Sequence, residues 1–177
     1  MTCSNSDQDM TATAGLWSTN ENFHGIVVSN SSACWYGKTL TGLKIKLKKE
    51  GADTSDNFYF RIYDSSGTLQ ASSNGVAQSS LTTSMEEIEL DMTSGTSYSI
   101  QVGDRIGIWY DGGSSSAGKI RSQKSNSVTS YDNTSGAVYQ GGWFANQELG
   151  YVVEPDSPPP PSGTTVTIPP PVAMVNI

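Results

Sequence analysis

Residues 40–64 carry the clearest alternation of apolar and polar side chains in the chain. In residues 43–48 leucine and isoleucine alternate with lysine, and in residues 58–63 phenylalanine and isoleucine alternate with tyrosine and arginine. A period of two gives a strand one apolar face and one polar face. A turn-rich break at residues 50–53 separates the two runs. The pattern predicts two half-buried antiparallel strands joined by a loop, as one wall of a β-sandwich.

Short apolar or alternating runs recur along the rest of the chain, between turns rich in glycine, serine and asparagine. No segment shows the 3.6-residue period of an amphipathic helix. About ten short strands, with a turn signal about every 8–12 residues, predict an all-β, antiparallel β-sandwich of the jelly-roll type. Besides the two strands above, we expect strands at 14–17, 23–29, 68–72, 98–102, 105–110, 119–121, 128–131, 137–139, 143–144 and 149–153, and one within 79–91 that has a bulge or starts late.

Proline divides the chain into a body and a tail. All eight prolines lie beyond residue 154, and none lies before it. Because proline removes a hydrogen-bond donor from a sheet, a proline-free body suits well-paired strands. We therefore divide the chain into an N-terminal arm at residues 1–13, a jelly-roll sandwich at residues 14–154 and an extended proline-rich tail at residues 155–177.

The tail combines polyproline segments, which form stiff spacers, with an apolar end. A solvated spacer has no need of an apolar tip, so we expect the tail to dock on another chain, by adding a strand to its sheet or by filling a groove. Docking on its own body is the alternative. The residues expected to make this contact are Val166, Ile168, Val172, Met174, Val175 and Ile177.

Composition and charge limit the partners. The net charge of −7 leaves no broad basic surface for nucleic acid. No apolar run approaches the length of about 20 residues that spans a membrane, so we expect no membrane partner. The first residues lack the basic start and apolar core of a secretion signal. We therefore expect a protein that is used without secretion, or one whose signal has been removed.

The two cysteines leave two alternatives open. A bond between Cys3 and Cys34 would tie the N-terminal arm to the body, and closing that loop is worth about 3–4 kcal/mol. The alternative is two reduced thiols in a cytoplasmic product. Together with the single histidine, His24, they are too few for a four-ligand Cys/His zinc site.

Enzymatic motifs are lacking in the sequence. We find no GxSxG, GxGxxG or GxxxxGK[ST] pattern, and His24 lies in a strand-like run where a packed or surface position is expected. Paired carboxylates of the glycosidase kind are the remaining catalytic possibility. Glu87 and Glu89 would share one strand face, but that face should be solvated. We predict no enzymatic activity and no cofactor.

Three aspartates begin similar turns, each after a tyrosine that ends a strand. They are Asp64, Asp111 and Asp132, and glycine follows in each turn. Such aspartates could offer oxygen ligands to calcium, but each turn supplies a single carboxylate where tight sites take several. We interpret them as turn caps, with the glycine at positive φ, and predict no metal site.

Aromatic residues provide the clearest indication of binding. Trp35 is followed by Tyr36, and Trp109 by Tyr110. Neighbours in a strand cannot both face one core, so one ring of each pair should point outward. An outward ring can stack on a sugar or contact a partner, although packing at the sandwich rim is the alternative. The candidate residues for glycan or partner contact are Trp35, Tyr36, Trp109, Tyr110 and Trp143.

Three stretches of sequence resemble a known group of proteins. The strings TLTGLKIKLKKEG and DNFYFRIYDSSGTL, followed by SYSIQVGDRIGIWYDGG, resemble β-jelly-roll modules of phage and archaeal-virus structural proteins. Similar modules occur in microbial surface and carbohydrate-binding proteins. The resemblance covers about residues 40–110, carries no catalytic residues and does not include the tail. It implies a jelly roll that serves as a decoration protein, a fibre domain or a glycan binder.

These observations predict a non-enzymatic virion structural protein, a capsid decoration (cement) or fibre subunit that is made in the host cytoplasm. Its jelly rolls would associate with each other, with a trimer as one arrangement, and with a capsid or other virion protein. The tail would clamp neighbouring subunits and raise their avidity. Two alternatives stay open. One is a carbohydrate-binding or adhesion module that contacts cell-surface glycans, and the other is an extracellular filament subunit whose tail completes a neighbour's sheet.

Overall fold

The computed structural model describes residues 3, 12–16, 22–52, 54–112, 119–124, 134–139, 142–146 and 152–153. Within these residues the chain forms twelve strands and one short 3₁₀ turn, Gln78–Ser80, and no α-helix. The strands are β1 (Ala12–Leu16), β2 (Phe23–Val28), β3 (Gly42–Glu50), β4 (Asn57–Tyr63), β5 (Leu69–Ser73), β6 (Val76–Ala77), β7 (Glu86–Ser94), β8 (Arg105–Tyr110), β9 (Lys119–Lys124), β10 (Thr134–Tyr139), β11 (Trp143–Asn146) and β12 (Val152–Val153).

The described strands pair antiparallel in the order β1-β9-β3-β7-β5-β4-β8-β2-β10-β11. In addition, β12 pairs with β3 and β6 pairs with β4. The sheet curls into a half-barrel, so strands that are far apart in this order share one core. The predicted all-β, antiparallel class is confirmed.

The alternating pattern of β3 and β4 fixes which side chains enter the core. Leu43, Ile45 and Leu47 of β3 are 1% exposed or less, and so are the apolar residues of β4. Full burial of such a side chain stabilises the fold by about 1.5–3 kcal/mol relative to exposure. The core also contains apolar residues of β2, β8 and β9. The predicted inward faces of β3 and β4 are therefore confirmed.

The predicted pairing of these two strands is wrong. β3 pairs with β7, β9 and β12, whereas β4 pairs with β5, β6 and β8. Both apolar faces point into the same core, but from different parts of the curled sheet. A period of two identifies the inward face of a strand and carries no information about its neighbour.

Other expectations differ at the strand ends. The predicted strand at residues 98–102 is absent, because the Tyr98 hydroxyl donates to Asp104 Oδ2 at 2.7 Å and the backbone of Ile100 bonds to residues 37 and 38. β7 starts at Glu86, so the late start within 79–91 is confirmed. β1 begins two residues earlier than predicted. The predicted strand at 128–131 and the tail at 155–177 lie outside the described residues.

Candidate functional site

A row of aromatic residues crosses the outer face of five neighbouring strands. Cross-strand register pairs Tyr59 with Trp109, Trp109 with Phe23, Phe23 with Tyr139, and Tyr139 with Trp143. These residues lie on β4, β8, β2, β10 and β11, which are consecutive in the sheet. Because neighbouring strands lie about 4.8 Å apart, this aromatic row extends over about 19 Å.

The rings of the row pack against each other and against Tyr63 of β4. Tyr139 and Trp143 have their ring centroids 5.1 Å apart, and Trp109 and Tyr139 5.4 Å apart. The Tyr63 ring lies 4.9 Å from Trp143 and 5.7 Å from Phe23. Each such pair contributes about 0.5–1.5 kcal/mol beyond burial. The result is a second hydrophobic cluster, separate from the main core.

Burial differs between the middle and the rim of this cluster. Phe23 is 0% exposed and Tyr63 is 7% exposed, although both lie on the outer face of the sheet. Trp109, Tyr139 and Trp143 are half-buried. Their exposed ring surface is therefore held on a packed base, which is how rings that accept a ligand would be kept in place.

Glycine makes room for one of these rings. Gly67, in the turn between β4 and β5, has a φ of 89°, which favours glycine over other residues. A Cβ at this position would collide with the indole nitrogen of Trp143. The Trp143 indole thus lies directly on the turn, and the turn limits its movement.

Two arginines stack on the aromatic rings. The guanidinium carbon of Arg61 lies 4.3 Å from the centroid of Tyr59 and 5.2 Å from that of Trp109. Its Nη1 donates to the Tyr63 hydroxyl at 3.1 Å. The guanidinium carbon of Arg105 lies 4.6 Å from the ring of Trp143. Such stacking is worth about 0.5–2 kcal/mol for each cation. We call the aromatic row together with Tyr63, Arg61 and Arg105 the aromatic–arginine face.

Burial shifts the pKa of three groups in this face, namely Arg105, Tyr63 and Tyr59. Desolvation is the main cause that lowers the pKa of Arg105, and the charges of Asp64 and Asp104 oppose it. Desolvation raises the pKa of Tyr63, against the hydrogen bond from Arg61. Phenols and guanidinium groups ordinarily ionise far above neutral pH, so the face combines neutral phenols with cationic arginines.

Asp111 forms a polar boundary at the Tyr59 end of the row. The Tyr59 hydroxyl donates to Asp111 Oδ2 at 2.9 Å, and the Asn57 amide donates to Oδ1 at 2.8 Å. Burial, followed by the bond to Asp111, raises the pKa of Tyr59. The carboxylate of Asp111 thus bonds across to β4. Residues 113–118 of the turn that Asp111 would cap lie outside the described residues, so this cap stays a prediction. The prediction is confirmed for Asp64, whose Oδ1 accepts from the amides of Ser66 and Thr68. Asp132 lies outside the described residues.

The predicted aromatic candidates separate into three groups. Trp109 and Trp143 belong to the aromatic–arginine face. Trp35 and Tyr110 are enclosed in the main core, 1% and 0% exposed, and are out of a ligand's reach. Tyr36 is 42% exposed but lies in a turn outside the face. One ring of each adjacent pair does point outward, as expected.

Sequence reasoning did not identify the other members of the face. They are Phe23, Tyr59, Tyr63, Tyr139, Arg61 and Arg105. Their common feature is that they lie on the outward-facing side of their strands, and for residues 58–63 the alternation predicts that this side is polar. Aromatic residues recur on this outward side in several separate strands. Their recurrence could have indicated a second aromatic surface. The strand order that brings the runs together was not available from the pattern.

The two cysteines form a disulfide bond, with their Cα atoms 5.6 Å apart. Cys3 is buried and belongs to the main core, as does the neighbouring Trp35. The bond thus fixes residue 3 to the turn that carries Cys34. The six tail residues predicted to contact a partner lie outside the described residues.

The residues considered for catalysis contact neighbouring side chains of the sheet or lie on its exposed face. His24 is buried, and its Nδ1 lies 2.9 Å from Ser122 Oγ. Glu87 and Glu89 are exposed and lie opposite Lys46 and Lys44. Lys44 Nζ lies 3.5 Å from Glu89 Oε2. In the part of the chain that the structure describes, no three His, Cys, Asp or Glu side chains group as metal ligands would.

Comparison of the chain with protein-family models, curated proteins and solved structures gives no match. Among the described residues, no helix has the length and apolar character needed to cross a membrane. The aromatic–arginine face combines ring stacking, cationic groups and hydrogen-bonding phenols, and this combination is suited to binding.

Proposed function

We propose that the chain is a non-enzymatic carbohydrate-binding module whose ligand surface is the aromatic–arginine face. The observation that carries this proposal is the aromatic row, with the half-buried rings of Trp109, Tyr139 and Trp143 at its surface. The apolar C–H faces of sugar rings pack on aromatic rings, and a few polar groups at the edge provide orientation. Arg61 and Asp111 are such groups.

The length of the row favours a chain of sugars over a single one. Five strands contribute rings along about 19 Å, which is longer than one sugar ring. A ligand that lies across the strands would meet several rings in succession. Weak stacking contacts on one rigid surface then add up, because the second contact is made at high effective concentration.

The described strands form a curled sheet, and we propose a more specific architecture for the body. We take the body to be a jelly-roll sandwich, with residues 155–177 as a proline-rich arm. The shared core supports this, since β3 and β9 contribute buried residues to the same cluster as β2, β4 and β8. In such a sandwich the aromatic–arginine face lies on the outside of one layer, where a long ligand can reach it.

The disulfide supports a location at the cell surface or in the extracellular space. Bonds of this kind form and persist in oxidising surroundings and are rare in the cytoplasm. The bond between Cys3 and Cys34 is buried at Cys3. A binding module exposed to surface glycans would meet these conditions.

A glycan-binding experiment tests the proposal. The full chain, with its disulfide intact, is applied to an array of neutral and charged oligosaccharides, and ligands are confirmed by calorimetry. Trp109→Ala should weaken binding at least about tenfold, because large aromatic residues dominate the energy of such contacts. Tyr36→Ala is the matched control, since Tyr36 is exposed but lies outside the face. Equal binding by both variants would refute the assignment of this surface.

A second candidate is the virion structural subunit, a capsid decoration or fibre protein clamped by its tail. Open sheet edges favour it, because among the described strands β1 and β11 pair with one neighbour each. An open edge can accept a strand from another chain, and Val166 and Ile168 lie in a β-prone part of the tail. The partner would be a second copy or another virion protein. The same edges would serve an extracellular filament.

Truncation separates this candidate from the first. The full chain and a version ending at Glu154 are compared by their mass in solution and by their binding to candidate particles. If only the full chain assembles or binds particles, the tail is an intermolecular clamp. Polymers that grow with protein concentration would favour the filament. If the two versions behave alike, the structural candidate loses its support.

A further inference from the structure

We infer that the ligand of the aromatic–arginine face is an acidic saccharide, in which Arg61 contacts a sugar carboxylate while the neighbouring rings stack on the sugar faces. This inference rests on the proposed carbohydrate-binding function and names its substrate class. The observation behind it is the state of Arg61, a half-buried cation that no carboxylate of the described residues neutralises.

The described contacts of Arg61 are aromatic and phenolic. Its guanidinium lies over Tyr59 and Trp109, and its Nη1 donates to the Tyr63 hydroxyl. The Arg61 Nε is buried, and it has no hydrogen-bond partner among the described residues. The ion pairs between described residues do not include Arg61. A half-buried cation that lies over aromatic rings and forms no ion pair with a described carboxylate is therefore suited to an anionic ligand group.

Two carboxylates that border the face accept hydrogen bonds from groups other than Arg61. Asp111 accepts hydrogen bonds from Asn57 and Tyr59. The carboxylate of Asp64 accepts from its own turn and from Gln70, whose Nε2 lies 2.8 Å from Oδ2. Arg105 differs from Arg61, because it donates to the Asp64 carbonyl and also senses the charge of Asp64. The unneutralised charge of the face is thus centred on Arg61.

A carboxylate fits this position better than a neutral sugar hydroxyl. A hydrogen bond from a guanidinium to an ionised carboxylate is charge-assisted, and it is about twice as strong as a bond between neutral groups. The net charge of −7 opposes an anionic ligand only weakly, since charges beyond about 8 Å are screened at physiological salt. The class of ligand is therefore a uronic-acid saccharide.

The experiment compares an oligogalacturonate with its full methyl ester, which keeps the rings and removes the charge. Both are titrated into the full-length protein by calorimetry. We expect the acid to bind at least about tenfold more tightly than the ester, and we expect this preference to weaken with added salt. Arg61→Gln should remove the preference. Lys48→Gln should keep it, because Lys48 lies on β3, which contributes no residue to the face.

Each other result overturns the inference. Equal affinity for acid and ester would do so, as would an unchanged preference in Arg61→Gln or no binding of either probe. If a sulfated dextran oligosaccharide binds and the oligogalacturonate does not, the face recognises an anion other than a carboxylate. If a neutral glycan still binds in a Trp109-dependent manner, the proposed function stands and only this inference fails. If no saccharide depends on Trp109, the function fails as well.

Discussion

Replacement of Phe23 tests whether the outer aromatic cluster is a true packed core. Phe23 is fully buried, and its ring packs edge-on against Tyr63 at 5.7 Å and against Trp143 at 5.2 Å. Burial of the side chain contributes about 1.5–3 kcal/mol, and the two ring pairs add about 0.5–1.5 kcal/mol each. Phe23→Ala should therefore lower the free energy of unfolding by about 3–5 kcal/mol, the usual range for a buried phenylalanine.

A second variant separates the two contributions. Phe23→Leu keeps most of the apolar volume but loses both ring pairs, so it should cost about 1–3 kcal/mol. The total free energy of unfolding of a protein is commonly about 5–15 kcal/mol. If Phe23→Ala removes most of it, Phe23→Leu is the variant that can still be measured. Phe60→Ala is the matched control, because Phe60 is a buried phenylalanine of the main core.

Urea unfolding of the full chain, followed by tryptophan fluorescence, measures these differences at constant m-value. If Phe23→Ala costs less than about 1 kcal/mol while Phe60→Ala costs the full amount, the outer rings do not pack in solution as described. The aromatic–arginine face would then lack a rigid base, and the case for a ligand surface would weaken with it.

Three further predictions concern other parts of the fold. Gly67→Ala should destabilise the protein more than Gly37→Ala, because both glycines have positive φ but a Cβ at Gly67 also collides with Trp143; equal unfolding midpoints in urea would contradict the packing of Trp143. Replacing Cys3 and Cys34 by serine should lower the free energy of unfolding by about 3–4 kcal/mol, measured against the oxidised protein, and no change would show that the bond is not formed. Hydrogen bonds from Arg121, followed by Lys119, lower the pKa of Glu50 from 4.5 to about 2, so the stability that Glu50 provides is complete above pH 4.5 and is lost as pH falls toward 2. Because Glu50 is partly exposed, this contribution is about 1 kcal/mol or less. The difference in unfolding free energy between wild type and Glu50→Gln should therefore disappear as the pH falls over that range. A constant difference would contradict the assignment.

Local features of the fold could be predicted from the sequence because their causes are local. The inward faces of β3 and β4 follow from side chains that alternate across a strand. The turn at Asp64 follows from a short acidic side chain that bonds the amides of Ser66 and Thr68. In both cases the deciding contacts or geometry lie within a few residues, so the sequence pattern contains them.

Strand neighbours and the outer cluster could not be predicted because they depend on distant residues. β3 and β4 follow each other in the chain, yet β7 and β5 lie between them in the sheet. Tyr63 has the phase of an outward residue, but rings of β2, β8 and β11 cover it. The sequence pattern assigned that phase to solvent, since it cannot represent a second apolar surface on the same sheet.

The same distant contacts would link stability to the proposed binding. A single core is already present inside the curled sheet, so the outer cluster is not needed to give the strands a buried face. Its inner rings, Phe23 and Tyr63, are buried, while Trp109 and Trp143 keep exposed surface above them. Rings held in this way lose little freedom when a ligand arrives, and this lowers the entropic cost of binding. Arg61 adds a fixed charge to that surface through its stacking on Tyr59 and Trp109. The buried rings of this cluster therefore stabilise the fold, and the exposed rings above them supply the rigid, charged surface that the proposed binding site requires.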